Sequence, residues 1–221
     1  MLLAVDTSTA QVGLAIYDGS QIISEYAWRS NQRHTVELAP AIFESLKRCG
    51  LTMDDIHVLG VALGPGSFTS LRVGLSLAKG LALSRHIPLV GIPTLDILAA
   101  AQPASRLPLV VAIQAGRSRL AAGWYKNSKG RWQAKGAARV LTLDTLADEM
   151  KSPVIVCGEL TSEERRRLAE KADVHLVSPA QSVRRPAVLA ELAWARWQAG
   201  QVDDEAQLAP IYLHVADPIP S

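Results

Sequence analysis

Apolar and polar positions alternate with a period of two through residues 2–28, and the pattern then switches to a helical period. The run "LLAVDTS" is short, apolar and closed by turn residues; "VGLAIYDG" alternates and stops at Asp18-Gly19; "QIISEYAW" alternates again. Three strands joined by tight turns are expected. Residues 35–48 place apolar side chains at helical spacing, with Lys47 and Arg48 in the last turn and Gly50 just beyond, which predicts a helix with its C-terminus there. "HVLGVALG" reads as a buried parallel strand. A helix opens near Ser67, "IPLVGIP" is a strand, and "TLDILAAAQ" is a helix closed by Pro103. This order describes an antiparallel meander feeding parallel βα units, in a mixed sheet with helices on its faces.

A second, weaker cycle follows. "LPLVVAIQA", "RLAAGWYK" and "RWQAKGAARVL" read as strands, "LDTLADEM" as a helix, "PVIVCG" as a strand, and "TSEERRRLAEKA" as a helix with Thr161 as cap and Glu164 three residues on. "VHLVS" is a strand, and "RPAVLAELAWARWQAG" is a helix with Pro186 near its start and Gly200 at its end. Proline, serine and small residues cluster in "AAQPASRLP". The expected division is therefore a first lobe at 1–103 and a smaller, degenerate lobe at 104–221 whose last helix packs back on the first.

Composition narrows the classes. The 221 residues are 48% apolar and 20% charged, enough for a proper core and unlike a disordered chain. A net charge of +2 excludes a wholly polyanion-driven surface but not a local basic patch. The N-terminus lacks a basic segment before its short apolar run, and no apolar stretch reaches membrane-spanning length, so a cytoplasmic chain without membrane association is expected. Cys49 and Cys157 lie far apart with no metal-ligand spacing and read as reduced core thiols.

The segment "GPGSFTSLRVGLSLAKGLA" carries the strongest local signal. Gly66 permits a tight turn and Ser67 can cap the helix, so the corner is either an ordinary capped turn or an anion site at a helix N-terminus. No Gly-Lys-Ser/Thr follows, which argues against a P-loop. Along the helix, Ser70, Gly74, Ala78 and Ala82 fall four apart and form one narrow stripe, bordered by Leu71 and Leu75. Glycine inside a helix costs about 1 kcal/mol relative to alanine, so close approach of another backbone is expected there. The preceding helix is apolar over a broad arc of Val36, Leu38, Ala39, Ile42, Phe43 and Leu46. Two such helices point either to a helix-on-helix subunit interface or to packing within the chain.

Candidate chemistry is sparse. Asp6-Thr7-Ser8 at the end of the first strand can hold a metal-bound phosphate or simply form a turn. The five histidines show no metal-binding spacing, and no serine sits in a nucleophile elbow. Between Asp96 and Asp144 there is no acidic residue, while Arg117, Arg119, Lys126 and Arg131 stand among other cations, interleaved with Trp124, Tyr125 and Trp132. This interval is either a nucleic-acid contact or the solvated face of a strand-rich lobe with its aromatics turned inward.

Taken together, "LLAVDTSTAQVGLAI", "RHTVELAPAI", "GVALGPGSFTSLRVGLSLAKGLA", "IPLVGIPTLDILAA" and "APIYL" resemble the bacterial TsaB (YeaZ) family, densely over the first hundred residues and thinly beyond. The resemblance implies an actin-like, ribonuclease-H-like two-lobed α/β fold. It also implies a non-catalytic subunit of tRNA threonylcarbamoyladenosine synthesis, partnering a TsaD-like catalytic subunit and a TsaE-like ATPase, pairing with itself when alone and meeting tRNA indirectly, with the helix residues Val36 to Leu46 and the stripe from Ser70 to Ala82 as the subunit interface. In the catalytic relative, two histidines four residues apart bind the metal; here Thr94 and Leu98 stand at those positions, around Asp96. Leucine has no lone pair to offer, so neither a metal site nor a catalytic residue is expected. In the family an acidic residue stands at the position of Gln114 and a glutamate near Arg119, and the carboxylate helps hold nucleotide; the resemblance therefore implies no tightly bound cofactor here, with ATP or ADP only at a complex interface. The corner of Asp6, Thr7, Ser8, Gly66 and Ser67 would then be a vestigial phosphate site. An autonomous actin-fold ATPase or phosphotransferase using those residues is the alternative.

Overall fold

A computed structural model describes residues 1–31, 33–116 and 118–213. The described chain separates into two compact units, one formed by Met1–Ile97 with Arg184–Ile211 and the other centred on Leu98–Val183. The division expected at residue 103 differs at both ends. The chain leaves the first unit six residues earlier, part-way along a helix, and returns to it at Arg184.

The first unit is a five-stranded sheet. β1 (Leu2–Asp6), β2 (Gln11–Tyr17) and β3 (Ile22–Arg29) form the antiparallel meander, and β4 (Val58–Ala62) and β5 (Leu89–Ile92) add parallel to β1. The order is β3-β2-β1-β4-β5. Side chains of a strand alternate between faces, and β1 is apolar at every position but its last, Asp6, because both faces are covered. Leu3 and Val5 pack with Leu14 and Ile16 under α1 (His34–Arg48) and α2 (Phe68–Arg85). Leu2 and Ala4 pack with Ala15, Val58 and Val90 on the opposite face, under Leu189, Ala190 and Ala193. Those three belong to the last helix, α6 (Pro186–Gln198), reached after α3 (Thr94–Ala100), α4 (Leu143–Glu149) and α5 (Ser162–Ala169). A Cβ at Gly60 would lie 2.8 Å from Ala193 Cβ, so the glycine lets α6 seat directly on β4.

The second unit repeats the plan. β6 (Leu109–Gln114) and β7 (Arg119–Ser128) pair antiparallel, and β7 is extended by β8 (Arg131–Ala134) and β9 (Arg139–Thr142); β10 (Val154–Gly158) and β11 (Val174–Leu176) are parallel to β6. The main path β8-β7-β6-β10-β11 reproduces the order third, second, first, fourth, fifth seen in the first sheet. Two sheets of one topology, each mixed and flanked by helices, agree with the actin-like architecture that the family resemblance implied. The single third strand expected at "RWQAKGAARVL" is two strands, interrupted at Gly136, whose φ of +87° turns the chain before it rejoins β7. The Thr161 cap stands as read: its hydroxyl accepts from Glu164 N–H while the Glu164 carboxylate accepts from Thr161 N–H, at 3.2 and 2.7 Å. Among the described residues, no helix is long and apolar enough to cross a membrane.

Candidate functional site

Position on the helix decides what α1 and α2 can offer a partner. Leu38, Ile42 and Leu46 of α1 point into the first unit's core, as do Leu71, Leu75, Ala78 and Ala82 of α2. Ser70 and Gly74 are buried as well. The small-residue stripe therefore faces the chain's own sheet, not another molecule. A Cβ at Gly74 would lie 2.3 Å from Thr7 Oγ1, so this glycine exists to admit the turn after β1. This corrects the expectation that the stripe is a subunit seam: what approaches Gly74 closely is the side chain of Thr7 in the same chain, not the backbone of another helix.

What remains for a partner is the outer groove between the two helices. It has a volume of about 570 Å³ where Leu38, Ala39, Phe68, Arg72 and Leu77 line it, and continues as a smaller apolar hollow past Ala39, Phe43, Leu77 and Leu81. Of the residues expected at an interface, Val36, Ala39 and Phe43 reach the surface, Val36 at 59% and Phe43 at 66% exposure. Phe68, 52% exposed with the Arg72 guanidinium 3.8 Å above its ring, was not foreseen. Its signal was readable: Val73, Leu77 and Leu81 form a second row four apart on α2, beside exposed Ser76, Gly80 and Ser84. A Cβ at Gly80 would have nothing within 4 Å, so no contact within the described chain compensates the cost of this glycine to the helix.

The polar corner is built from the ends of β1 and β4 and is closed on itself. The Asp6 carboxylate accepts from Arg184 Nε at 2.7 Å, with the two side chains 3% and 1% exposed, and its other oxygen accepts from Ser8 N–H at 2.8 Å. Arg184 also donates to Thr9 Oγ1 at 3.1 Å and Gln11 O at 2.7 Å. Thr7 Oγ1 donates to Ser70 O, and Ser8 Oγ pairs with Thr94 Oγ1, each at 2.7 Å; Thr94 Oγ1 accepts from Gly64 N–H at 2.9 Å. Ser67 N–H donates to Ser8 O at 2.7 Å, and the Ser67 hydroxyl caps α2 by accepting from Ser70 N–H. A Cβ at Gly66 would fall 2.1 Å from Ser8 O, which accounts for that glycine by packing alone. The residues read as a phosphate corner are thus brought together, but the cation they face is Arg184, a residue that the local pattern did not single out.

At the metal-ligand positions, Thr94 is committed to Ser8 and Gly64, and Leu98 is wholly buried. In the second unit, Gln114 donates to Glu159 O at 3.1 Å and to the Glu164 carboxylate at 2.7 Å, joining the end of β6 to the cap of α5. Of the cationic candidates, Lys126 and Arg131 are exposed on β7 and β8, and Arg119 is half-buried at the start of β7; Arg117 lies outside the described residues. The aromatics of that interval are engaged: Tyr125 is buried, Trp132 Nε1 donates to Gln102 O at 3.1 Å, and the Arg139 guanidinium lies 4.7 Å over Trp124.

Comparison with known proteins fits this geometry. The family described as TsaD, tRNA N6-adenosine threonylcarbamoyltransferase, matches residues 21–199. The tRNA threonylcarbamoyladenosine biosynthesis protein TsaB of Bacillus subtilis (strain 168) is 30% identical over 98% of this chain and 95% of its own. YeaZ from Pseudomonas aeruginosa superposes with a TM-score of 0.79 at 23% identity, over 96% of this chain and 99% of that one. A second Pseudomonas aeruginosa structure, of a protein with similarity to peptidase YEAZ, gives 0.80 at 24% with the same coverage. Sequence likeness across nearly the whole chain and a shared fold agree: the chain belongs to the TsaB (YeaZ) family.

Proposed function

We propose that this protein works in tRNA threonylcarbamoyladenosine biosynthesis as a non-catalytic subunit, docking a TsaD-like catalytic subunit through the α1–α2 groove. The observation that carries the reading is the groove itself: an apolar channel lined by Phe68 and Phe43, with exposed Val36 on the same helix as Phe43 and, among the described residues, nothing within 4 Å of a Cβ at Gly80. Exposed large apolar side chains gathered in one hollow mark a surface made to be covered. A helix pair from a sister chain of the same fold has the shape to fill it, and a second copy of this chain covers it when the sister is absent. A TsaE-like ATPase and any ATP or ADP join at the assembled interface, where residues of more than one chain contribute.

The chemistry of the corner supports a subunit that does not catalyse. Arg184 neutralises Asp6 where a metal-bound phosphate would need that carboxylate free, and the neighbouring hydroxyls are spent on one another. Those pairings weigh against the alternative of an autonomous ATPase or phosphotransferase. Mixing the purified chain with a TsaD-like subunit, a TsaE-like ATPase, threonylcarbamoyl adenylate, ATP and unmodified tRNA tests the reading. Co-elution on size exclusion and modification that requires this chain are expected. Modification proceeding equally without it, or Mg-ATP hydrolysis by the isolated chain, would defeat it.

A further inference from the structure

The β7–β8 ribbon sorts its charges by face. Its strands meet through the two-residue loop Lys129-Gly130, both residues at positive φ, so the register is fixed with Ser128 opposite Arg131 and Lys126 opposite Gln133. Alternation then puts Trp124, Lys126 and Ser128 of β7 on the same side as Arg131 and Gln133. Lys135 joins that side across from Trp124, to whose carbonyl its N–H donates at 2.6 Å, and Arg139, opposite Ala122 on β9, continues it. Lys126, Arg131, Lys135 and Arg139 are all exposed. The other side anchors the ribbon, through buried Tyr125 and the Trp132 hydrogen bond to Gln102.

Glu149 neutralises Arg139 on this face; among the described residues the other cations of the face have no acidic partner. The acids of α4, the helix that follows β9, are each engaged: Asp144 with Arg167, Asp148 with Lys171, and Glu149 with Arg139. Among the described residues, Lys126, Lys129, Arg131 and Lys135 make no ion pair. Cations gathered on one face repel one another and gain when an external polyanion covers them.

We propose that the face of Lys126, Arg131 and Lys135, with Lys129 at its tip, is a contact for the phosphate backbone of RNA. Identifying the polyanion as RNA rests on the pathway assigned above; the cation placement does not. Trp124 is already covered by Arg139 and Trp132 is turned to the other side, so no aromatic plane stands ready for base stacking. The contact is therefore blind to sequence and strongly dependent on salt.

The test compares the full-length wild-type chain with the Lys126→Gln/Arg131→Gln/Lys135→Gln variant, binding a fluorescent unmodified tRNA transcript across a salt series. Wild type should bind, the variant should bind about tenfold or more weakly, and the slope of log affinity against log salt should be shallower by roughly 2 to 3, as three lost phosphate contacts require. An unchanged melting temperature shows that the exposed substitutions leave the fold intact. Equal affinity and slope in the two proteins, or no tRNA binding by wild type, overturns the proposal. So does a variant that keeps its tRNA affinity but loses co-elution with the TsaD-like subunit, because the face would then serve a protein. Loss of tRNA affinity with co-elution retained supports it. Because tRNA binding is read on the chain alone, failure of the scaffold reading shows separately, as absent co-elution in wild type.

Discussion

Arg184 Nε and Asp6 Oδ2 meet at 2.7 Å across 178 residues of chain, with both side chains almost fully buried. The pair ties the residue that precedes α6 by two positions to the end of β1. It also occupies the one carboxylate in the corner that a divalent cation could have used. Removing one partner of such a pair leaves an uncompensated buried charge, at a cost of about 3–5 kcal/mol. Arg184→Met should therefore be strongly destabilised in urea, and Asp6→Asn added to it should restore part of the loss. A single variant within about 1 kcal/mol of wild type would show that the pair is not shielded from water.

The two glycines of α2 should respond in opposite directions. Alanine at 74 gains about 1 kcal/mol of helix propensity but drives its methyl into Thr7, which donates to Ser70 O, and overpacking typically costs about 1–3 kcal/mol, so a net loss is expected. Alanine at 80 meets nothing within 4 Å and should stabilise the isolated chain by roughly 0.5–1 kcal/mol. A substitution at Gly74 consequently reports on folding and is no probe of partner binding. Denaturation midpoints of the two variants moving the same way would contradict this.

The difference between those glycines marks where sequence reading stopped. Spacing of four told that Ser70, Gly74, Ala78 and Ala82 share a stripe, but helical period alone does not say whether a stripe meets a sheet or a stranger. Element order and the Thr161 cap were legible because each depends on neighbours within a few positions, whereas the division into units was not, because Arg184–Ile211 rejoins the first unit from far along the chain. Arg184 was not, because its partners Asp6, Thr9 and Gln11 lie at the other end of the chain and its own surroundings read as a helix entry. The break at Gly136 was missed since one glycine between two short β-like runs is compatible with either one strand or two.

Acid should loosen the seating of α6 through Glu25. Burial pushes its carboxyl up, but the hydrogen bond from Arg185, the Ala187 N–H and the Arg185 charge together outweigh that and hold it below the usual carboxylate range. A carboxyl lowered in the folded state contributes stability above its unfolded pKa and loses it as pH falls through the folded value. Glu25→Gln should thus be less stable than wild type at pH 7, with the difference closing below about pH 4. Equilibrium unfolding from about pH 3 to about pH 7 provides the comparison, and a gap that widens on acidification would reverse the argument.

Thiol chemistry should separate the two cysteines. Burial pushes the Cys157 thiol up to about 12, inside β10, whereas Cys49 closes α1 with partial exposure. The thiolate is the reactive form, so Cys157 should stay silent toward an aromatic disulfide reagent at neutral pH until the protein unfolds. One thiol is expected to titrate in the native protein and two in guanidinium; two reacting natively at the same rate would mean that β10 opens readily.

The groove is tested at Phe43, which lines it, and at Val36, seven residues earlier on α1; they are 66% and 59% exposed and do little for the isolated chain. Aspartate at either position should leave the melting temperature of the free protein nearly unchanged, since surface substitutions away from caps and buried networks usually shift stability by less than about 0.5 kcal/mol. In the complex the same carboxylate would have to be desolvated against an apolar helix face. Loss of a central aromatic anchor typically costs about 2 kcal/mol or more, close to thirtyfold in affinity. Phe43→Asp should therefore abolish co-elution with a TsaD-like subunit, and shift any self-association toward monomer, while circular dichroism stays as in wild type. Should Phe43→Asp and Val36→Asp both bind the sister subunit as tightly as wild type, the partner sits elsewhere, and the apolar hollow between α1 and α2 has another purpose.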